Sequence, residues 1–208
     1  MTIVINGDGT ITGISVGGLP DGIVDTDMLA TNAVATAKIA HGAVTSTKST
    51  GLGGLAMADQ WRVASDNGET DASTIGGFER NDTDFAQIGT GMTHSSGVFT
   101  FPATGIYKID FHASSRRAAN QNLAYVRYQL QKSSDSGSNW NNIAFGSGQM
   151  ASAGDNQETF TCGNAILDVT DASTYRVRLY VDASTHVRPL YSTSYNYTYL
   201  TFLKLGDT

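Results

Sequence analysis

Few residues of this chain could do covalent or metal chemistry: His41, His94, His112 and His186, one cysteine, Cys162, and two acid-rich runs. Imidazoles make zinc sites when two of them recur at short, regular spacing, and these four are scattered. His112 falls on the polar side of an alternating stretch and reads as a surface residue. Cys162, within Thr159-Phe-Thr-Cys-Gly163, reads as a small buried hydrophobe on a strand, and alone it forms no intrachain disulfide. The runs Asp66-Asn-Gly-Glu-Thr-Asp71 and Asn81-Asp-Thr-Asp84 offer oxygens of the kind Ca²⁺ takes, but neither matches the helix-loop-helix calcium loop. Ordinary acidic turns are the other reading. Gly51-Leu-Gly-Gly54 and Gly146-Ser-Gly148 lack the Lys-Ser/Thr of a phosphate loop. The expectation is a protein with no catalytic, cofactor-binding or metal site.

Binding chemistry is better represented. Trp140 stands among Asn139, Asn141 and Asn142, and Tyr191, Tyr195 and Tyr197 flank Ser192, Thr193, Ser194 and Asn196. Flat apolar rings beside amides and hydroxyls suit a glycan or a protein epitope. Trp140, Asn141, Asn142 and Tyr191 are therefore the candidate receptor-binding residues. Structural roles compete with this. Tyr195, Tyr197 and Tyr199 recur with period two, the pattern of a strand facing a sandwich core or a three-fold axis. Trp140 fits either role.

The elements that must position these residues are strands. Val98–Phe101 leads through Pro102 and Gly105 into Ile106–Ala113, where Tyr107, Ile109 and Phe111 alternate with Lys108, Asp110 and His112. Leu123–Leu130 alternates Val126, Tyr128 and Leu130 against Tyr125, Arg127 and Gln129. Ser133–Asn139 reads as a loop. Trp140–Phe145, Thr159–Val169, the Tyr175–Val181 alternation and Tyr195–Leu205 complete the set. Short alternating strands joined by Gly and Asn turns predict an all-β antiparallel sandwich of the jelly-roll kind.

The first 58 residues differ in kind: they contain no aromatic residue and no arginine. Aromatics supply much of the area that builds a core, so this segment reads as extended and dependent on neighbours. Residues 2–16 read as strand, turn, strand around Asn6-Gly-Asp-Gly9. Residues 25–54 carry a ten-residue repeat: Thr26 aligns with Thr36, Leu29 with Ile39, Ala33 with Ala43, Val34 with Val44. Such short units need stacked copies, and with barely three decads the partners would be other chains. A short helix over 26–40 or a linker are the alternatives. The boundary falls at a glycine-rich hinge, giving a stalk, 1–58, and a head, 59–208.

Composition narrows the function. A net charge of −6 and a pI near 5.0 argue against nucleic-acid binding. No stretch has the apolar length of a membrane span. The chain begins MTIVINGDGT, without a basic region followed by an apolar run, so the expectation is synthesis in a reducing compartment.

Gly97-Val-Phe-Thr-Phe-Pro-Ala-Thr-Gly-Ile-Tyr-Lys-Ile-Asp-Phe111 resembles the corresponding stretch of the complement globular-head family, a tumour-necrosis-factor-like jelly roll. The resemblance spans 59–205 in order and length, with 97–111 its specific part, and implies a two-sheet jelly roll that forms homotrimers. The last strand departs from the family by lacking its aromatic-Gly pair. TITGISVGGLPDGIVDTDMLATNAV and the decads after it resemble tail-fibre and appendage proteins of bacteriophages. That resemblance implies a trimeric stalk carrying a jelly-roll tip on a virion, made in the host cytoplasm. Together they lead to the expectation of a virion appendage that attaches through its N-terminal segment to other virion proteins and binds a host surface glycan or protein. A head fibre or capsid decoration protein is the alternative. A polysaccharide-degrading enzyme is the third, and it would need paired carboxylates in one cleft.

Overall fold

The computed structural model describes residues 55–118, 124–149 and 157–208, with positions 4–5, 7, 11–12, 31, 34, 39–40 and 43 of the front segment. The chain divides into two units, Met1–Leu52 and Gly53–Thr208. In the first, β1 (Val4–Ile5) pairs antiparallel with β2 (Ile11–Thr12). The repeat conformation expected over 25–54 falls outside the described residues, apart from isolated positions.

The second unit is built from strands: β3 (Met57–Val63), β4 (Thr70–Thr74), β5 (Phe78–Arg80), β6 (Thr93–Ser95), β7 (Val98–Thr100), β8 (Gly105–Arg117), β9 (Val126–Ser133), β10 (Asn141–Gly148), β11 (Glu158–Val169), β12 (Arg176–Pro189) and β13 (Tyr199–Gly206). Every pairing is antiparallel, and no helix occurs among the described residues. One layer runs β5-β3-β13-β8-β11; the other runs β10-β9-β12, with β4 and β7 against β12. Beyond Asp182 the register of β12 shifts, and its end, Val187–Pro189, pairs with Arg117–Ser115 of β8. That crossing joins the layers at one edge.

Alternation decides which side chains enter the core. Tyr107, Ile109 and Phe111 of β8, Val126, Tyr128 and Leu130 of β9, and Val177, Leu179 and Val181 of β12 are all buried. Phe99 sits at the centre of an aromatic cluster, its ring 4.7 Å from His94, 5.1 Å from Phe78 and Phe202, and 5.6 Å from Trp61. Two glycines of the 97–111 stretch have backbone reasons to be glycine. Gly97 (φ 82°) and Gly105 (φ 146°) lie in the region L side chains avoid; a Cβ would stand 2.5 Å from the Ile75 carbonyl oxygen at one and 2.6 Å from that of Gly206 at the other. The Tyr107 hydroxyl donates to the Ala103 carbonyl at 2.9 Å, tying the turn to β8.

Two expectations need correction. The last strand begins at Tyr199, not Tyr195. The Ser192 hydroxyl accepts the backbone N–H groups of Ser194 and Tyr195, forming a side-chain turn that keeps Tyr195 and Tyr197 in an exposed loop. The core residues of β13 are Leu200 and Phe202, on the opposite parity from the tyrosines, so the tyrosine stripe does not line the sandwich interior. Cys162 is exposed. Leu167 and Val169 point into the core from β11, and residue 162, of opposite parity, points outward.

Candidate functional site

The loop before Trp140 is held by Asp135. Its carboxylate accepts the Ser133 hydroxyl at 2.7 Å and the Asn139 backbone and side-chain N–H groups at 2.9 and 2.7 Å. These bonds lower its pKa to about 2. Trp140 then lies over the outer face of β9 and β12, where the Arg178 guanidinium stands 4.2 Å from its ring centroid and 5.2 Å from that of Tyr180. Burial holds the Arg178 pKa below its usual range.

A ladder of polar side chains crosses this face. The Gln131 amide donates to Asn142 Oδ1 and to Gln129 Oε1, both at 2.9 Å, and its Oε1 accepts Arg178 Nε at 2.7 Å. Gln129 donates to Asp182 Oδ2 at 3.2 Å, and Arg127 reaches the same oxygen at 3.4 Å. Arg127 also lies 5.2 Å from the Tyr125 ring and 5.6 Å from that of Phe145, which is 63% exposed. Gln129 and Gln131 are buried yet satisfied by one another and their neighbours, the condition under which a polar network rigidifies a surface.

Two of the four candidate residues therefore belong to one surface, Trp140 and Asn142. Asn141 is exposed at the start of β10, in register with Lys132. Tyr191 lies elsewhere. It follows the end of β12, eleven residues on from Arg178 to Pro189, or about 36 Å along an extended strand. There it lines a cleft of about 400 Å³ with Arg116, Glu158, Arg188, Pro189, Leu190 and Tyr197. Arg116 pairs with Glu158 at 3.0 Å, and Arg188 pairs with Asp66. The Arg188 hydrogen bond lowers the Asp66 pKa, the opposite of what a glycosidase general acid requires.

The acidic runs are engaged by arginine too. Asp66 serves Arg188, and Asp82 pairs with buried Arg62 at 2.5 Å, as does Glu79 at 2.7 Å. Among the described residues no three His, Cys, Asp or Glu side chains gather where they could hold a metal ion. His94 is half-buried, and its Nε2 accepts the Gly97 N–H at 3.0 Å.

A third surface went unread in the sequence. On the outward face of β11, β8 and β13, the His112 ring stacks between Phe160, at 5.3 Å and 10°, and Tyr199, at 5.4 Å and 16°. Phe160 is 65% exposed and Ile166, on the same side of β11, 68%. Exposed Cys162 is in register with His112. The alternation of β11 was legible as a strand, but its outward hydrophobes are visible as a surface only once β8 and β13 lie beside it.

No family model matches this chain, and no curated protein matches it. Solved structures do. The crystal structure of murine APRIL at pH 5.0 is 10% identical with a TM-score of 0.54, over 72% of this chain and 98% of that one. The Eiger TNF of S. frugiperda is 10% identical with a TM-score of 0.52, over 74% of this chain and 95% of that one. At this identity the likeness carries the fold alone: the head is a tumour-necrosis-factor-like jelly roll.

Proposed function

We propose that this chain is a homotrimeric bacteriophage virion appendage whose jelly-roll head binds the host cell surface, with the N-terminal segment joining it to other virion proteins. The observation that carries the reading is the exposed Phe160–His112–Tyr199 stack on the outward face of β11, β8 and β13, with Ile166 exposed farther along β11. Exposed apolar surface of this kind marks an interface. On this reading the face packs against the next copy, and the polar outer face of β9, β10 and β12 stays open to the host. The aromatic-free, repeat-bearing front segment supports the appendage part through its resemblance to phage fibres. A head fibre or decoration trimer is the second reading, since the same exposed stack would pack copies together there too.

Light scattering on the full chain tests assembly. The expected mass is three times 22.0 kDa. Burying the exposed part of Phe160, roughly 100–160 Å², contributes about 2.5–4 kcal/mol at about 25 cal/mol per Å². Phe160→Asp should therefore shift the mass toward that of one chain at micromolar concentration. A wild-type mass of one chain sinks the trimer, and with it the appendage as stated.

A further inference from the structure

The outer face of β9, β10 and β12 carries Arg127, Arg176 and Arg178 against one carboxylate, Asp182, in a chain of net charge −6. Arg127 is paired loosely with Asp182, and Arg176 donates to the carbonyls of Ala172, Ser173 and Tyr175. Arg178 has no carboxylate partner among the described residues. Its Nε is fixed by Gln131 and its Nη1 by Thr74 at 3.1 Å, with rings on two sides. Nη2 donates to nothing among the described residues. A guanidinium held in this way and left without a counter-ion is a preformed half of a fork-to-carboxylate pair.

We infer that this face binds an acidic saccharide, with Arg178 taking the carboxylate of a uronic acid residue. Asn142 Nδ2 and Asp182 Oδ1, both left over from the ladder, serve as donor and acceptor for sugar hydroxyls. The exposed Phe145 ring offers an apolar platform for a sugar C–H face. Arg178 and Asp182 lie four residues apart on β12, about 13 Å, so the site accepts an oligosaccharide laid along the strand. The other cleft, at Tyr191, carries neutralised arginines and has no such excess of charge.

The inference rests on the reading of the head as a host-binding module, and the test separates the two. Calorimetric titration of the full chain uses trigalacturonate and, as the neutral control, maltotriose. Trigalacturonate is expected to bind the more tightly, and to weaken as salt rises. Arg178→Gln should weaken it about tenfold or more, Arg178→Lys less, and Phe145→Ala, at an exposed position that folding does not need, several-fold. Equal affinity for the two sugars, no binding of trigalacturonate, or unchanged affinity in both Arg178→Gln and Phe145→Ala overturns the site. Binding to host envelopes is measured beside it. Envelope binding that survives Arg178→Gln overturns the assignment and leaves the host-binding reading standing. Trigalacturonate binding that depends on Arg178, without any envelope binding, upholds the site and removes that reading.

Discussion

Replacing Asp59 by alanine should cost the head more stability than any surface change. Asp59 is fully buried. Its Oδ1 accepts Arg80 Nε at 2.9 Å, and its Oδ2 accepts the Met92 backbone N–H at 2.8 Å, Trp61 Nε1 at 2.9 Å and Arg80 Nη2 at 3.2 Å. One side chain on β3 therefore ties β5 and the segment entering β6. Deletion leaves the buried Met92 N–H without an acceptor, about 1–3 kcal/mol. It also unpairs Arg80. Breaking a fully buried ion pair costs about 3–5 kcal/mol, but the Arg80 side chain is 36% exposed and keeps the Met92 carbonyl at 2.6 Å and the Trp61 ring at 4.5 Å. Partial rehydration lowers that figure, and the combined loss is about 3–4 kcal/mol. For a domain of this size the melting temperature should fall by about 6–16 °C. Asp59→Asn, which keeps the volume and one acceptor, should lose roughly half as much. In a double-mutant cycle with Arg80→Met, scanning calorimetry should show strong coupling. An alanine variant that melts within about 2 °C of the parent, or a cycle that is simply additive, refutes this account of the β3–β5 corner.

Two further predictions concern buried polar groups. Burial lowers the His94 pKa below 6.5, so the unfolded chain takes up the proton first and stability is lost as pH falls from about 6.5 toward the folded value. Melting temperature should drop as pH falls below about 6.5 in the parent and not in His94→Gln; Asp66, Asp82 and Asp171, lowered from 3.8, begin to lose their contributions only nearer pH 4. A parent melting curve flat across that window contradicts the assignment. Tyr128→Phe strips the buried Ser115 hydroxyl of its partner at 2.6 Å and should cost about 1–3 kcal/mol, most of it restored by adding Ser115→Ala, as chemical denaturation would show.

The core was legible wherever alternation ran long. Tyr107, Ile109 and Phe111 showed one face of β8 in the sequence, and they are buried as read. Short polar strands were not legible. Thr70–Thr74, Phe78–Arg80 and Thr93–Ser95 become strands by pairing with β12, β3 and β7 rather than by propensity. Tyr195 and Tyr197 misled because period two also occurs in a loop, and the Ser192 turn that decides the matter is a single side-chain hydroxyl. Trp140 and Asn142 were readable as a patch because they are neighbours in sequence. Their companions were not: Arg178 meets Gln131 across forty-seven residues, and Gln129 meets Asp182 across fifty-three. Asp59 and Arg80 were missed for the same reason. A buried ion pair assembled from two strands leaves no local pattern.

The most direct test of the central claim is immunogold labelling of intact phage particles with antibody raised against residues 59–208. The account predicts gold on the particles at the tail, where host contact is made; gold over the head shell would instead support the decoration reading. Particles that carry no gold while free chain in the lysate is labelled would contradict the proposal that this is a virion appendage.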